Sequence, residues 1–192
     1  MNFQPLDRAH LVATQEVASE LFPWEREHTL ALAATVSPVE HAAFYSERRL
    51  SSVRCWTAHL GRGPVCGLGM LYGYQAQPDE LWLAWFGLLP AARGFGGGAR
   101  MLDWLIASAR AEGRHTLRLW TTDESEYARA TQLYTRRGFT AEEHAPLPGE
   151  DWKTFVFSLG LDGQMPIAWS AVLDRPHELC GREAPVAAAA AA

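Results

Sequence analysis

Apolar residues run almost unbroken from Leu81 to Leu89 (LWLAWFGLL), many of them aromatic, which predicts a strand covered on both faces and central in a sheet. Pro90 cannot donate a ladder hydrogen bond and ends it. Beyond a glycine-dense stretch the period changes: Met101, Leu102, Leu105, Ile106 and Ala109 fall on one face of a helix, and Gly113 suits its C-terminal end. Before the central strand, residues 53–60 and 65–75 read as two strands around the turn Gly61-Arg62-Gly63-Pro64. After it, residues 115–120 alternate as a strand. Thr122-Asp123-Glu124-Ser125 offers capping side chains for a helix over 127–136 that Gly138 stops. Residues 139–144 and 152–159 form a final antiparallel pair across Pro146-Leu147-Pro148-Gly149. The N-terminal quarter predicts a short edge strand over 2–6, then a helix over 10–22 with Asp7 as N-cap and Pro23 as stop. Further helices follow over 26–35 and, begun by Pro38, over 39–49. The expected architecture is α/β (α+β): a mixed, mostly antiparallel sheet of about seven strands flanked by helices.

The 192 residues suit one domain with a substantial core. A net charge of −5 without any Lys/Arg-rich run argues against a nucleic-acid role. Cys55, Cys66 and Cys180 are odd in number and lack metal-ligand spacing, so no metal site is expected and the thiols read as reduced. Asp7, Arg8, Glu16 and Glu20 interrupt the first 20 residues, and no window nears 18 apolar residues, so the chain is expected in the cytoplasm, neither exported nor membrane-spanning. Residues 161–192 are set apart as a C-terminal extension of unknown role. Ile167, Trp169 and Val172 would pack there as a short element or as an interface arm, which leaves a homodimer open, and Ala187–Ala192 is low-complexity sequence without chemistry.

The chemistry concentrates between strand and helix. Arg93, Gly94, Phe95, Gly96, Gly97, Gly98 and Ala99 hold four glycines in seven residues. Glycine at a helix start costs about 1 kcal/mol relative to alanine, so such a cluster calls for a compensating role. Close approach of a ligand to bare backbone supplies one. The first free N–H groups of the helix, the positive end of its dipole and the Arg93 fork together suit a pyrophosphate. The P-loop ending Gly-Lys-Ser/Thr is missing, and so is the acid about 20 residues on that a dinucleotide fold uses.

Leu88-x-Pro90-x-x-Arg93-Gly94-x-Gly96-x-Gly98 resembles the acyl-CoA signature of the GNAT acyltransferase superfamily, Arg/Gln-x-x-Gly-x-Gly/Ala after a central strand. Ala130-x-x-Leu133-Tyr134-x-x-x-Gly138-Phe139, about 30 residues on, is similar to that family's later helix and the strand after it. The resemblance covers roughly residues 1–160 and implies a GNAT-like domain that uses acetyl-CoA as co-substrate. It implies acetyl transfer to a primary amine of a small molecule or peptide by direct attack on the thioester. Acylation of a hydroxyl, a longer acyl chain, or binding without catalysis are the alternatives.

The resemblance also distributes roles. Arg93 and the amides from Gly94 to Ala99 would hold the cofactor, and a backbone N–H among Phe86, Gly87 and Leu88 would meet the charge developing on the thioester oxygen. Gly87 inside so apolar a strand suggests a bulge or close approach of the pantetheine arm. Tyr134 would protonate the leaving thiolate. The sequence departs from the family's pattern where a glutamate is common on the central strand: Trp82 and Ala84 stand there. Glu80 shares their parity further back and is nominated as the base, with a water chain, His144 or a carboxylate of the N-terminal helices as alternatives. Tyr127 replaces a common asparagine, and Gly97 replaces a branched apolar residue. In the N-terminal helices Glu20, Trp24, Glu25, Glu27, Glu40, Phe44, Tyr45 and Glu47 mix carboxylates with aromatic faces, a combination able to hold an ammonium group.

Overall fold

The computed structural model describes residues 1–146 and 149–172, together with a short strand pair, Glu178–Leu179 and Arg182–Glu183. The middle of the 146–149 turn, Cys180 and Ala187–Ala192 therefore lie outside the described residues. The elements follow in the order β1 (Asn2–Pro5), α1 (Leu11–Leu21), α2 (His28–Val36), α3 (Ala42–Glu47), β2 (Leu50–His59), β3 (Val65–Tyr74), β4 (Glu80–Leu88), α4 (Gly97–Ala111), β5 (Thr116–Thr122), α5 (Ala128–Arg136), β6 (Thr140–His144) and β7 (Thr154–Gly160). Seven strands form one sheet, β1-β2-β3-β4-β5-β7-β6. All neighbours are antiparallel except β4 and β5, which the α4 crossover joins in parallel.

The expected elements are present with shifted ends. α3 is shorter than its apolar pattern suggested and begins at Ala42, because Pro38 to His41 form turns instead of a first helical turn. Asp7 accepts the His10 N–H at 2.9 Å, which closes the turn before α1, but it does not cap α1 itself, whose N-cap is His10. The Thr122–Ser125 side chains do not cap α5 either; the Thr122 hydroxyl donates to Glu124 at 2.7 Å.

Each face of the sheet has its own apolar layer. On one, Met101, Leu102, Leu105 and Ile106 of α4 and Tyr134 of α5 close over Leu81, Leu83, Leu117, Leu119 and Phe157. On the other, α1, α2 and α3 cover Leu50, Val53, Cys55, Leu68 and Met70. Beyond β7, Leu161 still packs into the first layer, and Trp169 and Val172 add to the second face, while Met165 and Ile167 stay exposed. At Gly160 a Cβ would sit 1.8 Å from the Gln164 carbonyl oxygen, so only glycine permits the chain to fold back there. Trp169 then packs edge-on against Trp82, with ring centroids 4.8 Å apart, and Val156 lies beneath them.

The join between β4 and β5 is fastened by one fully buried charge. Arg118 on β5 has no exposed surface; its Nε and Nη2 donate to the two carboxylate oxygens of Glu80 at 2.8 and 2.6 Å, its Nη1 to the Ser158 hydroxyl at 2.7 Å, and Nη2 also to the Ile167 carbonyl at 2.9 Å. A buried guanidinium stripped of its partner typically costs about 3–5 kcal/mol. Glu80→Gln should therefore unfold at markedly lower denaturant than the parent. A Glu80→Gln protein of unchanged stability would show that the pair does not fasten the strands. Trp169→Ala, which empties the space against Trp82, should cost about 3–5 kcal/mol in the same equilibrium unfolding measurement.

Candidate active site

β4 and β5 pair through only three residues each, Glu80 with Thr116, Leu81 with Leu117 and Trp82 with Arg118. Beyond Trp82 the two parallel strands part, while β4 stays paired with β3 as far as Leu88. Between Gly69 and Leu71 of β3, the β4 strand carries one extra residue at Ala84–Trp85, a bulge that bends it away from β5. The sequence suggested either such a bulge at Gly87 or a close approach of the pantetheine arm there. There the structure has regular pairing, and the absent side chain makes room for α1: a Cβ would lie 3.2 Å from Leu21 Cδ1 and 3.4 Å from Phe22 Cζ.

The direction of the backbone groups at the gap follows from one hydrogen bond. The Leu89 N–H donates to the Cys66 carbonyl of β3 at 2.8 Å. Backbone groups alternate sides along an antiparallel strand, so Leu89 and Gly87 turn theirs toward β3, and Phe86 and Leu88 turn theirs into the gap. The Leu88 carbonyl, pointing that way, accepts the Arg93 Nε–H at 2.8 Å. That bond holds Arg93 at the top of the gap and leaves its terminal Nη groups without a partner among the described residues.

The four glycines divide by cause. Gly94 and Gly96 have φ of +91° and +70°, a conformation that strongly favours glycine, and Gly96 is the N-cap of α4. At Gly97 a Cβ would lie 2.6 Å from Met1 Cε and 2.9 Å from Leu88 Cδ1; those side chains fill the space that a branched apolar residue at 97 would occupy. At Gly98 a Cβ would meet nothing within 4 Å. Neither backbone conformation nor packing accounts for glycine there. The Arg100 N–H closes the first turn on the Gly96 carbonyl at 3.1 Å, so the N–H groups of Gly97, Gly98 and Ala99 have no intrahelical acceptor. With the dipole of this 15-residue helix behind them they suit an anion. Phe95 stands 76% exposed at the rim.

Tyr134 reaches the gap from the α4/α5 face. Its ring packs among Phe86, Phe139 and Phe157 at centroid distances of 6.4, 5.9 and 5.5 Å, burial pushes its phenol pKa well up, and no described residue hydrogen-bonds its hydroxyl. It therefore stays a neutral acid across the physiological range. Glu80 lies at the other end of β4, about 26 Å along the strand from Leu88, with both oxygens held by Arg118. A base there would have to surrender that pair. Trp82 is core, and Trp85, half-buried at the bulge, faces the His28 ring with centroids 6.0 Å apart. Burial lowers the His28 pKa, so that imidazole is neutral near pH 7. Tyr127, at the start of α5, has its phenol pKa pushed up first by burial and then by its hydrogen-bond partner Glu126 and by Glu124 and Glu25.

An open groove of about 890 Å³ runs along the N-terminal half of β2 to Glu112 and Arg114, at the opposite end of α4 from the glycine turn. None of the residues nominated for acyl-group chemistry lines it. Arg118 escaped the sequence reading, although a lone arginine in the alternating run Thr116–Thr122 signals an inward charge that requires a partner.

The profile of the acetyltransferase (GNAT) family matches residues 14–139, about two thirds of the chain. A comparison with curated proteins finds no significant match. Among solved structures, a putative GNAT acetyltransferase from Desulfovibrio desulfuricans superposes with a TM-score of 0.67 over 83% of this chain and 98% of its own, at 17% identity. A putative acetyltransferase from Salmonella typhimurium, solved with acetyl-CoA, gives 0.60 over 86% and 96% at 22% identity. An aminoglycoside 6'-N-acetyltransferase complexed with coenzyme A gives 0.62 over 86% and 100% at 12% identity. With its parted central strands, glycine-opened helix start and buried tyrosine, the chain belongs to the GNAT acetyltransferase family.

Proposed function

We propose that the protein transfers an acetyl group from acetyl-CoA to a primary amine of a small molecule or peptide. The observation that carries this reading is the meeting, at one end of the β4–β5 gap, of two inward backbone N–H groups with an anion-ready helix start. Its fit to coenzyme A is chemical: a pyrophosphate needs several donors and no side chain in the way. Gly97, Gly98 and Ala99 offer free N–H groups, Gly98 offers open space and Arg93 offers its Nη donors. Gly94, Phe95 and Gly96 shape the approach, and Phe86, Gly87 and Leu88 flank the arm that would run down the gap. Bound there, the thioester supplies the activated acyl group.

This chain's own groups then act as follows. The Phe86 or Leu88 N–H would stabilise the oxygen that gains charge as the amine attacks. Tyr134, neutral and lacking a competing partner, would protonate the departing thiolate. The amine would approach from the opposite face, between the α1–α2 connection and Trp85. Glu80 remains a nominal base, but its bonds to Arg118 favour a structural role. The aminoglycoside acetyltransferase among the similar structures acts on an amine, which supports N-acetylation. Among the described residues no helix is long and apolar enough to cross a membrane. A non-catalytic acyl-CoA-binding module is the second reading, favoured by the lack of an acid at Trp82 and Ala84, and turnover separates the two.

At 100 times Kd, coenzyme A should stabilise the protein by about 2.7 kcal/mol. Gly98→Glu adds a carboxylate at a helix start with open space around it, so the unliganded melting temperature should hold or rise slightly while coenzyme A stabilisation disappears. Arg93→Ala should weaken that stabilisation. Full stabilisation of both variants would place the cofactor elsewhere. Tyr134→Phe should lower kcat about 100-fold with acetyl-CoA affinity retained. Because the phenol pKa is raised, the parent should lose no activity to tyrosine ionisation below about pH 10, and an earlier alkaline fall shared by Tyr134→Phe would assign that fall to another group.

A further inference from the structure

The α1–α2 connection carries a partly buried carboxylate, Glu25. Leu21 and Phe22 seat the end of α1 against Gly87 on β4, and three residues later Glu25 is close enough to Tyr127, at the start of α5 beyond β5, to raise its phenol pKa. The segment from Leu21 to Glu25 therefore lies beside β4 on the face opposite Tyr134. A turn fixes it, the Glu25 N–H donating to the Phe22 carbonyl at 3.0 Å, and the rings of Phe22 and Trp24 meet edge to face.

The carboxylates around this mouth are not equivalent. Glu27 is held by Arg48, whose Nη2 lies 2.7 Å from Oε1 and whose Nε lies 3.2 Å from Oε2. Glu124 accepts the Thr122 hydroxyl at 2.7 Å, and Glu126 is the hydrogen-bond partner of Tyr127. Glu25 is partly buried between exposed neighbours, and no described residue engages its carboxylate oxygens. We propose that Glu25 is the catalytic base of this acyltransferase, accepting the proton that the acceptor ammonium must lose before it attacks. The proposal rests on the acetyltransfer reading above and extends it.

The step balances without any other reactant. An ammonium N–H bond breaks and its proton passes to Glu25. The freed nitrogen lone pair forms the C–N bond, and the thioester C–S bond breaks with its electron pair on sulfur. Tyr134 gives that sulfur a proton and regains one from the nitrogen as the amide forms. Glu25 releases its proton to water. The sum is ammonium plus thioester giving amide, thiol and one proton.

Burial, and then the charge of Glu27, raise the Glu25 pKa. That makes its ionised form a stronger base, and the function is lost as pH falls, starting above the ordinary carboxylate range. The titratable groups around it are Glu27 on its own connection, Glu124, Glu126 and Tyr127 beside α5, and His28 on α2, which burial holds neutral near pH 7.

The test compares the full chain with Glu25→Gln, using thiol release from acetyl-CoA with butylamine, an ammonium at about pH 7, and with aniline, which is already neutral there. Thermal stabilisation by coenzyme A is measured alongside. Glu25→Gln should keep the coenzyme A stabilisation and lose about 100-fold or more in kcat on the alkylamine, with a much smaller loss on aniline. In a carbon-13 carboxyl titration, the glutamate signal that vanishes in Glu25→Gln should titrate above the other glutamates. Equal losses on both amines, or none, would overturn the assignment and leave acetyl transfer standing. Coenzyme A stabilisation without turnover of any amine by the parent would overturn both.

Discussion

The structure depends on where two parallel strands stop pairing. β4 and β5 hold together through three residue pairs, and the lowest stretch of that contact is fastened by Arg118, buried among Glu80, Ser158 and the Ile167 carbonyl. A charge so deep is tolerable only when most of its donors are satisfied, so it fixes β4, β5, β7 and the segment after β7 in one arrangement. Above it there is no such bond. The bulge at Ala84–Trp85 leans β4 away, and the gap opens where Phe86 and Leu88 present their backbone. A tight lower join and an open upper one are two aspects of a single register.

From that opening the site assembles by connectivity. The α4 crossover, required for a parallel neighbour, starts at the top of β4, so its N-terminus lies at the mouth of the gap. α5 follows β5 and brings Tyr134 to the same mouth from one face; α1 seats against Gly87 from the other. Tyr134, the start of α4 and the end of α1 thus reach one place from separate elements. No long loop carries any of them.

Much of this was legible in the chain. The apolar run Leu81–Leu89, the change to helical period after Gly98 and the second motif around Tyr134 fix local structure through their own side chains, and the structure retains all three. What sequence reading could not supply were relations between distant residues. Gly87 suggested a bulge or a close approach of a ligand, and only the fold reveals that the space on its Cβ side belongs to Leu21 and Phe22, more than sixty residues earlier. Glu80 looked available as a base, and only the fold reveals Arg118 across from it. Residues 161–172 carried no local signal of a partner because their partner, Trp82, lies on the central strand. Such pairings are decided by topology, and period and composition do not encode them.

On the function proposed above, acetyl-CoA lies in the β4–β5 gap against the start of α4. Amide hydrogen exchange with and without acetyl-CoA checks this placement, since the N–H groups that face the gap have no acceptor among the described residues. New protection is expected at Phe86, Leu88 and Gly97 to Ala99, and none along the groove beside β2. Protection confined to that groove, with the glycine turn unchanged, would contradict it.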